Sequence, residues 1–132
     1  RSNPETMKYI PRPLLKNEEE ALAHILMIET KIQNNEGINW AITVKGDPKL
    51  IGVIGHYRIQ LENYRAEIGY MILPEFNGKG YTTEAIKAIV AYGFNEMQLH
   101  SMEGWLCERS SFKRKRISRR TLLRQCYLFN FE

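Results

Sequence analysis

Residues Pro74 to Ala85 read Pro-Glu-Phe-Asn-Gly-Lys-Gly-Tyr-Thr-Thr-Glu-Ala, and their types suit one kind of chemistry, the holding of a phosphate. Gly78 and Gly80 lack a Cβ, so the chain can tighten there and a ligand can come close to its backbone. Thr82 and Thr83 are residue types that cap helices. A helix start presents N–H groups without intrahelical partners and a partial positive charge, which together suit a pyrophosphate. Two other phosphate-binding signatures are excluded. The dinucleotide fingerprint G-x-G-x-x-G fails because Thr83 stands at its third glycine, and the P-loop run G-x-x-x-x-G-K-[ST] occurs nowhere in the chain.

The elements around this stretch are legible as a strand before it and a helix after it. Ala66-Glu-Ile-Gly-Tyr-Met-Ile-Leu73 is a short apolar run that predicts a buried strand, and Glu84 to Phe94 carries apolar residues at helical spacing. Upstream, Asn17-Glu-Glu-Glu20 predicts a capping-box-like helix start. Ala21, Leu22, Ile25, Leu26, Ile28 and Ile32 give that helix an apolar face, and Gly37 is expected to stop it. Residues 38–60 predict an antiparallel hairpin turning at Gly46-Asp-Pro-Lys49. Pro11 and Pro13 make residues 11–16 an extended linker. The order helix, strand, strand, strand, helix, strand defines an α+β domain with a mostly antiparallel sheet, and a single domain is expected over 1–132.

With these residues in view, the chain resembles the GNAT acetyltransferases, whose acetyl-CoA motif has the core Q/R-x-x-G-x-G/A. It is most similar to the ribosomal-protein N-terminal acetyltransferase (RimJ/RimL-like) branch, where "AEIGY" on the strand precedes "P-E-x-x-G-K-G-Y-x-T-E-A". Ala66 to Tyr70 and Pro74 to Ala85 stand in that register. Glu75 replaces the Gln or Arg of the superfamily core, as is usual in the branch. The likeness runs over roughly residues 2 to 106, with Ile38–Val44 and Leu50–Gly55 as paired strands and Leu99–Leu106 as the strand after the helix. The family's opening strand is expected to be missing.

The resemblance implies a GNAT-like fold and direct transfer of acetyl from acetyl-CoA to a primary amine, with no acyl-enzyme and no metal. Asn77, Gly78, Lys79, Gly80, Tyr81, Thr82 and Thr83 would cradle the CoA pyrophosphate. Met71, Ile72 and Leu73 would bind the thioester arm and stabilise its carbonyl oxygen, in a V between this strand and the next, near Leu73 and Ser101. Glu67 is the candidate base that takes the ammonium proton before attack, through a water; the alternative is that Glu67 only pairs with Arg58 or Arg65. His56 and His100, without partners at ligand or triad spacing, are expected to be structural. Partners are acetyl-CoA and an amine acceptor (a protein N-terminus or a small amine), and a homodimer is possible. An inactive CoA-binding remnant is the alternative function.

Hydrophobic residues make up 43% of the chain, no run approaches the ~20 apolar residues of a membrane span, and no signal peptide is expected before the first helix. Cys107 and Cys126 have no metal or redox spacing and read as reduced thiols of a cytoplasmic protein. The net charge of +4 divides into −3 over residues 1–108 and +7 over 109–132. Phe112-Lys-Arg-Lys-Arg-Ile-Ser-Arg-Arg-Thr121 interrupts the resemblance, and its pattern suits no core face. One choice of codons for it, shifted by one base, reads Leu-Lys-Glu-Asn-Gly-Phe, the helix end that the family would show, so two compensating frame changes over about 109–121 are the expectation. The segment is therefore expected to be solvent-exposed or poorly ordered. A nucleic-acid patch is the rival reading, disfavoured because only Phe112 interleaves with the basic residues.

Overall fold

The computed structural model describes residues 1–8, 10, 12–108 and 111–119. The expectations placed on Cys126 and on residues 121–132 lie outside the described residues, as does any statement about the side chain of Cys107. The element order is α1 (Pro4–Met7), α2 (Glu18–Gln33), β1 (Ile38–Thr43), β2 (Leu50–Gln60), β3 (Arg65–Ile72), α3 (Tyr81–Asn95), β4 (Ser101–Glu108) and β5 (Ser111–Ser118). Short 3-10 turns cover Leu61–Asn63 and Pro74–Phe76.

The five strands form one sheet in sequence order, β1-β2-β3-β4-β5. Every neighbouring pair is antiparallel except β3 and β4. That one parallel pair follows from the connection between its strands: a tight turn reverses direction, whereas the crossover through α3 brings the chain back to the same end of the sheet. The α+β class and its mostly antiparallel sheet are as the residue pattern predicts.

The crossover helix makes the core. Ile86, Ile89, Val90, Gly93 and Phe94 recur at helical spacing and are all buried. They meet one face of the sheet: Ile54 and His56 of β2, Ala66, Ile68 and Ile72 of β3, Met102 of β4 and Ile117 of β5. Each fully buried Ile or Phe contributes about 1.5–3 kcal/mol. His56 lies within this layer, fully buried, its Nε2–H donating to the Ile89 carbonyl (2.9 Å) and its ring edge-on to Trp40 (5.8 Å). His100 stacks on Tyr64 at 4.7 Å.

Three local expectations need correction. Helix α2 starts as expected, Asn17 Oδ1 accepting the Glu20 N–H (2.8 Å) while the Glu20 carboxylate accepts the Lys16 N–H (2.8 Å). Its stop, however, is Asn35 in the left-handed region (φ 57°), not Gly37; Asn tolerates that conformation because its amide bonds locally. The apolar face of α2 is not buried either. Ala21, His24 and Ile28 are half-covered, whereas Leu22, Ile25, Leu26 and Ile32 are exposed. Thirdly, the basic segment is neither patternless nor unstructured over its described part. Residues 111–118 pair with β4 in antiparallel register, Ile117 opposite Met102 enters the core, and Arg114 and Arg116 are exposed as expected. Among the described side chains, exposed Arg114 and Arg116 on alternate positions and one buried Ile117 suit a strand at the edge of the described sheet, where Lys and Arg are well tolerated. No helix among the described residues is long and apolar enough to cross a membrane.

Candidate active site

The turn from β3 into α3 holds the first part of the site. Gly78 (φ 72°) and Gly80 (φ 84°) both occupy the left-handed region, and a Cβ built on either would meet nothing within 4 Å. Both therefore face open space. Gly80 is the N-cap of α3 and no side chain caps the helix, so Thr82 and Thr83 lie inside the first turn and do not cap as their types suggest. The first helical bond runs from the Glu84 N–H to the Gly80 carbonyl (3.1 Å). The N–H groups of Tyr81, Thr82 and Thr83 precede it and have no intrahelical acceptor. Asn77 drops out of the donor set, because its N–H already binds the Pro74 carbonyl (3.1 Å). Tyr81 anchors the turn, packing against the core and edge-on to Phe76 (6.0 Å), and Lys79 Nζ lies 5.6 Å from the centre of the Phe76 ring. That cation–π contact holds the ammonium beside the open face of the turn.

The sheet itself supplies the second part. Pairing between β3 and β4 runs from Arg65↔Ser101 to Ile68↔Gly104 and stops, although β3 continues to Ile72 and β4 to Glu108. Strand β4 keeps its partner β5 as far as Glu108↔Ser111. The two halves of the sheet thus part after Ile68 and Gly104, leaving Gly69 to Ile72 with an edge open toward β4. Ser101 stands at the closed end, so the expected position of the V moves to the C-terminal halves of both strands. On its other side β3 is fixed by Val53↔Met71 and Gly52↔Ile72. Leu73 turns its N–H to β2, binding the Ile51 carbonyl (2.9 Å), so by strand alternation the N–H and carbonyl of Ile72 face the opening. Of Met71, Ile72 and Leu73, Ile72 is the one placed to pair with a ligand there.

Glu67 is one residue from the point of parting. It shares a face with Gly69 and Met71, opposite the core residues Ala66, Ile68 and Ile72. Its carboxylate meets Arg58 Nη1 (3.2 and 3.4 Å to the two oxygens) and Arg114 Nη2 (3.4 Å). Arg58 reaches it by a bulge: Tyr57↔Glu67 is followed by Gln60↔Arg65, so two residues of β2 oppose one of β3, and Arg58 adopts φ 46°. Regular alternation would turn Arg58 to the core face; the left-handed residue returns its side chain to the face of Glu67. Beside Glu67 in the parallel register lies Glu103. Arg116 Nε (2.7 Å) and Arg114 Nη2 (2.8 Å) bind it, and the Arg116 hydrogen bond holds the Glu103 carboxyl below the usual carboxylate range. Glu103 and Arg114 carry no motif signal; only the strand alternation of residues 101–108 against 111–118 could have placed them on the face of Glu67.

Comparison with known proteins agrees with this geometry. The acetyltransferase (GNAT) domain matches residues 1–109, and the chain belongs to that family. It is 35% identical over 98 residues to the uncharacterized N-acetyltransferase YoaA of Bacillus subtilis, covering 74% of this chain and 55% of that protein. It is 35% identical over 99 residues to the uncharacterized N-acetyltransferase YnaD of the same organism, covering 75% and 55%. Its fold superposes on the spermidine N-acetyltransferase of Vibrio cholerae, solved with CoA and spermine, with a TM-score of 0.66 at 22% identity, covering 80% of this chain and 60% of that one. The chain spans a little over half the length of these two Bacillus relatives.

Proposed function

We propose that this chain binds acetyl-CoA along β3 and the start of α3 and serves the transfer of its acetyl group to a primary amine. The observation that carries the reading is the parting of β3 from β4 immediately beside two open glycines and an uncapped helix start. An extended chain bearing a pyrophosphate at one end fits both features at once. The backbone N–H groups of Tyr81 to Thr83 would hold the phosphates. The open edge at Ile72 would pair with the amides of the arm and offer an N–H to the thioester oxygen as negative charge gathers there. The amine must reach the carbonyl carbon without its extra proton; Glu67, on the strand that lines the opening, is the group placed to take it, directly or through a water. As the new C–N bond forms the C–S bond breaks, and the thiolate leaves with a proton supplied by the surroundings.

Calorimetric titration with acetyl-CoA tests the binding, and thiol release with a panel of amines (small diamines and peptides with free N-termini) tests the transfer and sorts the acceptor class. Absence of acetyl-CoA binding would refute the reading. Binding without thiol release would support the narrower reading of a CoA-binding remnant, which the pairing of Glu67 with two arginines favours.

A further inference from the structure

Glu67 and Glu103 lie side by side in the parallel register, and like charges so placed repel unless a cation stands between them. Arg114 is that cation. Its Nη2 lies 2.8 Å from Glu103 Oε2 and 3.4 Å from Glu67 Oε1. It comes from the position opposite Trp105, one step past Ile68↔Gly104, so it stands where β3 and β4 part. We infer that Arg114 is an internal competitor of the acceptor: its guanidinium occupies the place beside Glu67 that an incoming ammonium must take, and the acceptor binds by displacing it. The inference rests on the acetyl-transfer reading for the identity of the acceptor, not for the competition itself.

Three features make displacement feasible. The Arg114 side chain is 54% exposed and that of Glu67 35%, so their pairing is weak and reversible. Glu103 retains Arg116, through Nε and Nη2, when Arg114 swings away, so no carboxylate is stranded. Arg58 approaches Glu67 from β2, on the far side from the opening, and leaves the side toward β4 to Arg114. The device favours cationic acceptors, which can replace a guanidinium, over neutral ones, which cannot.

The test follows the side-chain carboxyl resonance of Glu67 by NMR while 1,4-diaminobutane is added, in the wild type and in Arg114→Ala, Arg114→Gln and Arg116→Ala. All three variants lose one positive charge, but only the first two uncover Glu67. Arg114→Ala and Arg114→Gln should halve or further lower the diamine concentration at half-saturation, by roughly two- to fivefold for a weak exposed pair. Arg116→Ala should leave it unchanged, and 1,4-butanediol should perturb the resonance in none of them. Where thiol release is measurable, the same two variants should lower the KM for the diamine with kcat little changed. Equal affinity in wild type and the Arg114 variants, or an equal gain in Arg116→Ala, would overturn the proposal. Both results are readable whether or not acetyl-CoA binds, so failure of the acetyl-transfer reading is seen separately in the acetyl-CoA titration.

Discussion

Gly80→Ala separates the phosphate cradle from mere backbone strain. Gly80 has φ 84° and ψ −4°, a conformation that costs an L-residue about 1–2 kcal/mol. A Cβ there meets no atom within 4 Å, so nothing but that conformational cost should reach stability. Thermal unfolding should fall by about 2–8 °C for each kcal/mol lost. Gly46 is the matched control. It has φ 86°, an equally open Cβ position, and a place in the β1–β2 turn, outside the β3–α3 turn. Gly46→Ala should therefore cost a similar amount of stability.

CoA affinity distinguishes the two. Strain present in both free and bound protein cancels from a binding equilibrium, so Gly46→Ala should bind CoA as the wild type does. At Gly80 the added methyl enters the space assigned to the phosphates, or the turn refolds to relieve its strain and moves the N–H groups of Tyr81 to Thr83. Either route loses on the order of 1.4 kcal/mol or more, a tenfold weaker Kd. Calorimetric titration of both variants gives the answer. If Gly80→Ala and Gly46→Ala lose equal stability and bind CoA equally, phosphates do not sit at this turn.

Glu67→Gln should lower thiol release by about 10²–10⁴-fold for a general base, most at lower pH where more amine is protonated, with CoA affinity unchanged in calorimetry; an unaltered rate at every pH would reduce Glu67 to an ion-pair partner. Gly52→Ala puts a Cβ 2.5 Å from the Met71 carbonyl and 3.1 Å from Ile72 Cα, both backbone, so β3 must shift beside the opening: about 1–3 kcal/mol of stability should be lost and CoA should bind more weakly, as denaturant titration and calorimetry would show. Burial pushes the His56 imidazole below its usual range despite the opposing hydrogen bond to Ile89. The unfolded chain then takes up that proton first as pH falls through about 6.5, and stability should decline below that pH by at most ~1.4 kcal/mol per pH unit from this group. In His56→Gln the decline between pH 7 and 5 should be shallower; an equal decline would assign the effect to other groups.

What the residues disclosed in advance is what short-range chemistry controls. The β3–turn–α3 unit is written in adjacent residues: an apolar run, two glycines that alone tolerate φ near +80°, and apolar positions at helical spacing. The location of Glu67 on a strand and its face followed from alternation. The cap at Gly80 was missed because threonine type favours capping in general, whereas the left-handed glycine already ends the turn and places Thr82 and Thr83 within the helix. The exposed stripe of α2 was missed for a different reason: helical spacing identifies an apolar face but not what covers it.

The basic segment marks the limit most clearly. Taken alone, Phe112 to Arg120 has a charge at six of its nine positions, and burying unpaired charges costs several kcal/mol, which argues against packing. The cost is avoided because the strand lies at the edge of the sheet formed by the described residues and keeps Arg114 and Arg116 exposed. Arg114 and Arg116 stay exposed on the face away from α3, where Glu67 and Glu103 already place two negative charges, and Ile117 enters the core. The acidic pair and the basic strand answer each other across the sheet, a relation that depends on register between residues far apart in sequence. No local pattern could show it. The same relation places a guanidinium beside the candidate base, so the segment that breaks the family resemblance is also the one in a position to control access to Glu67.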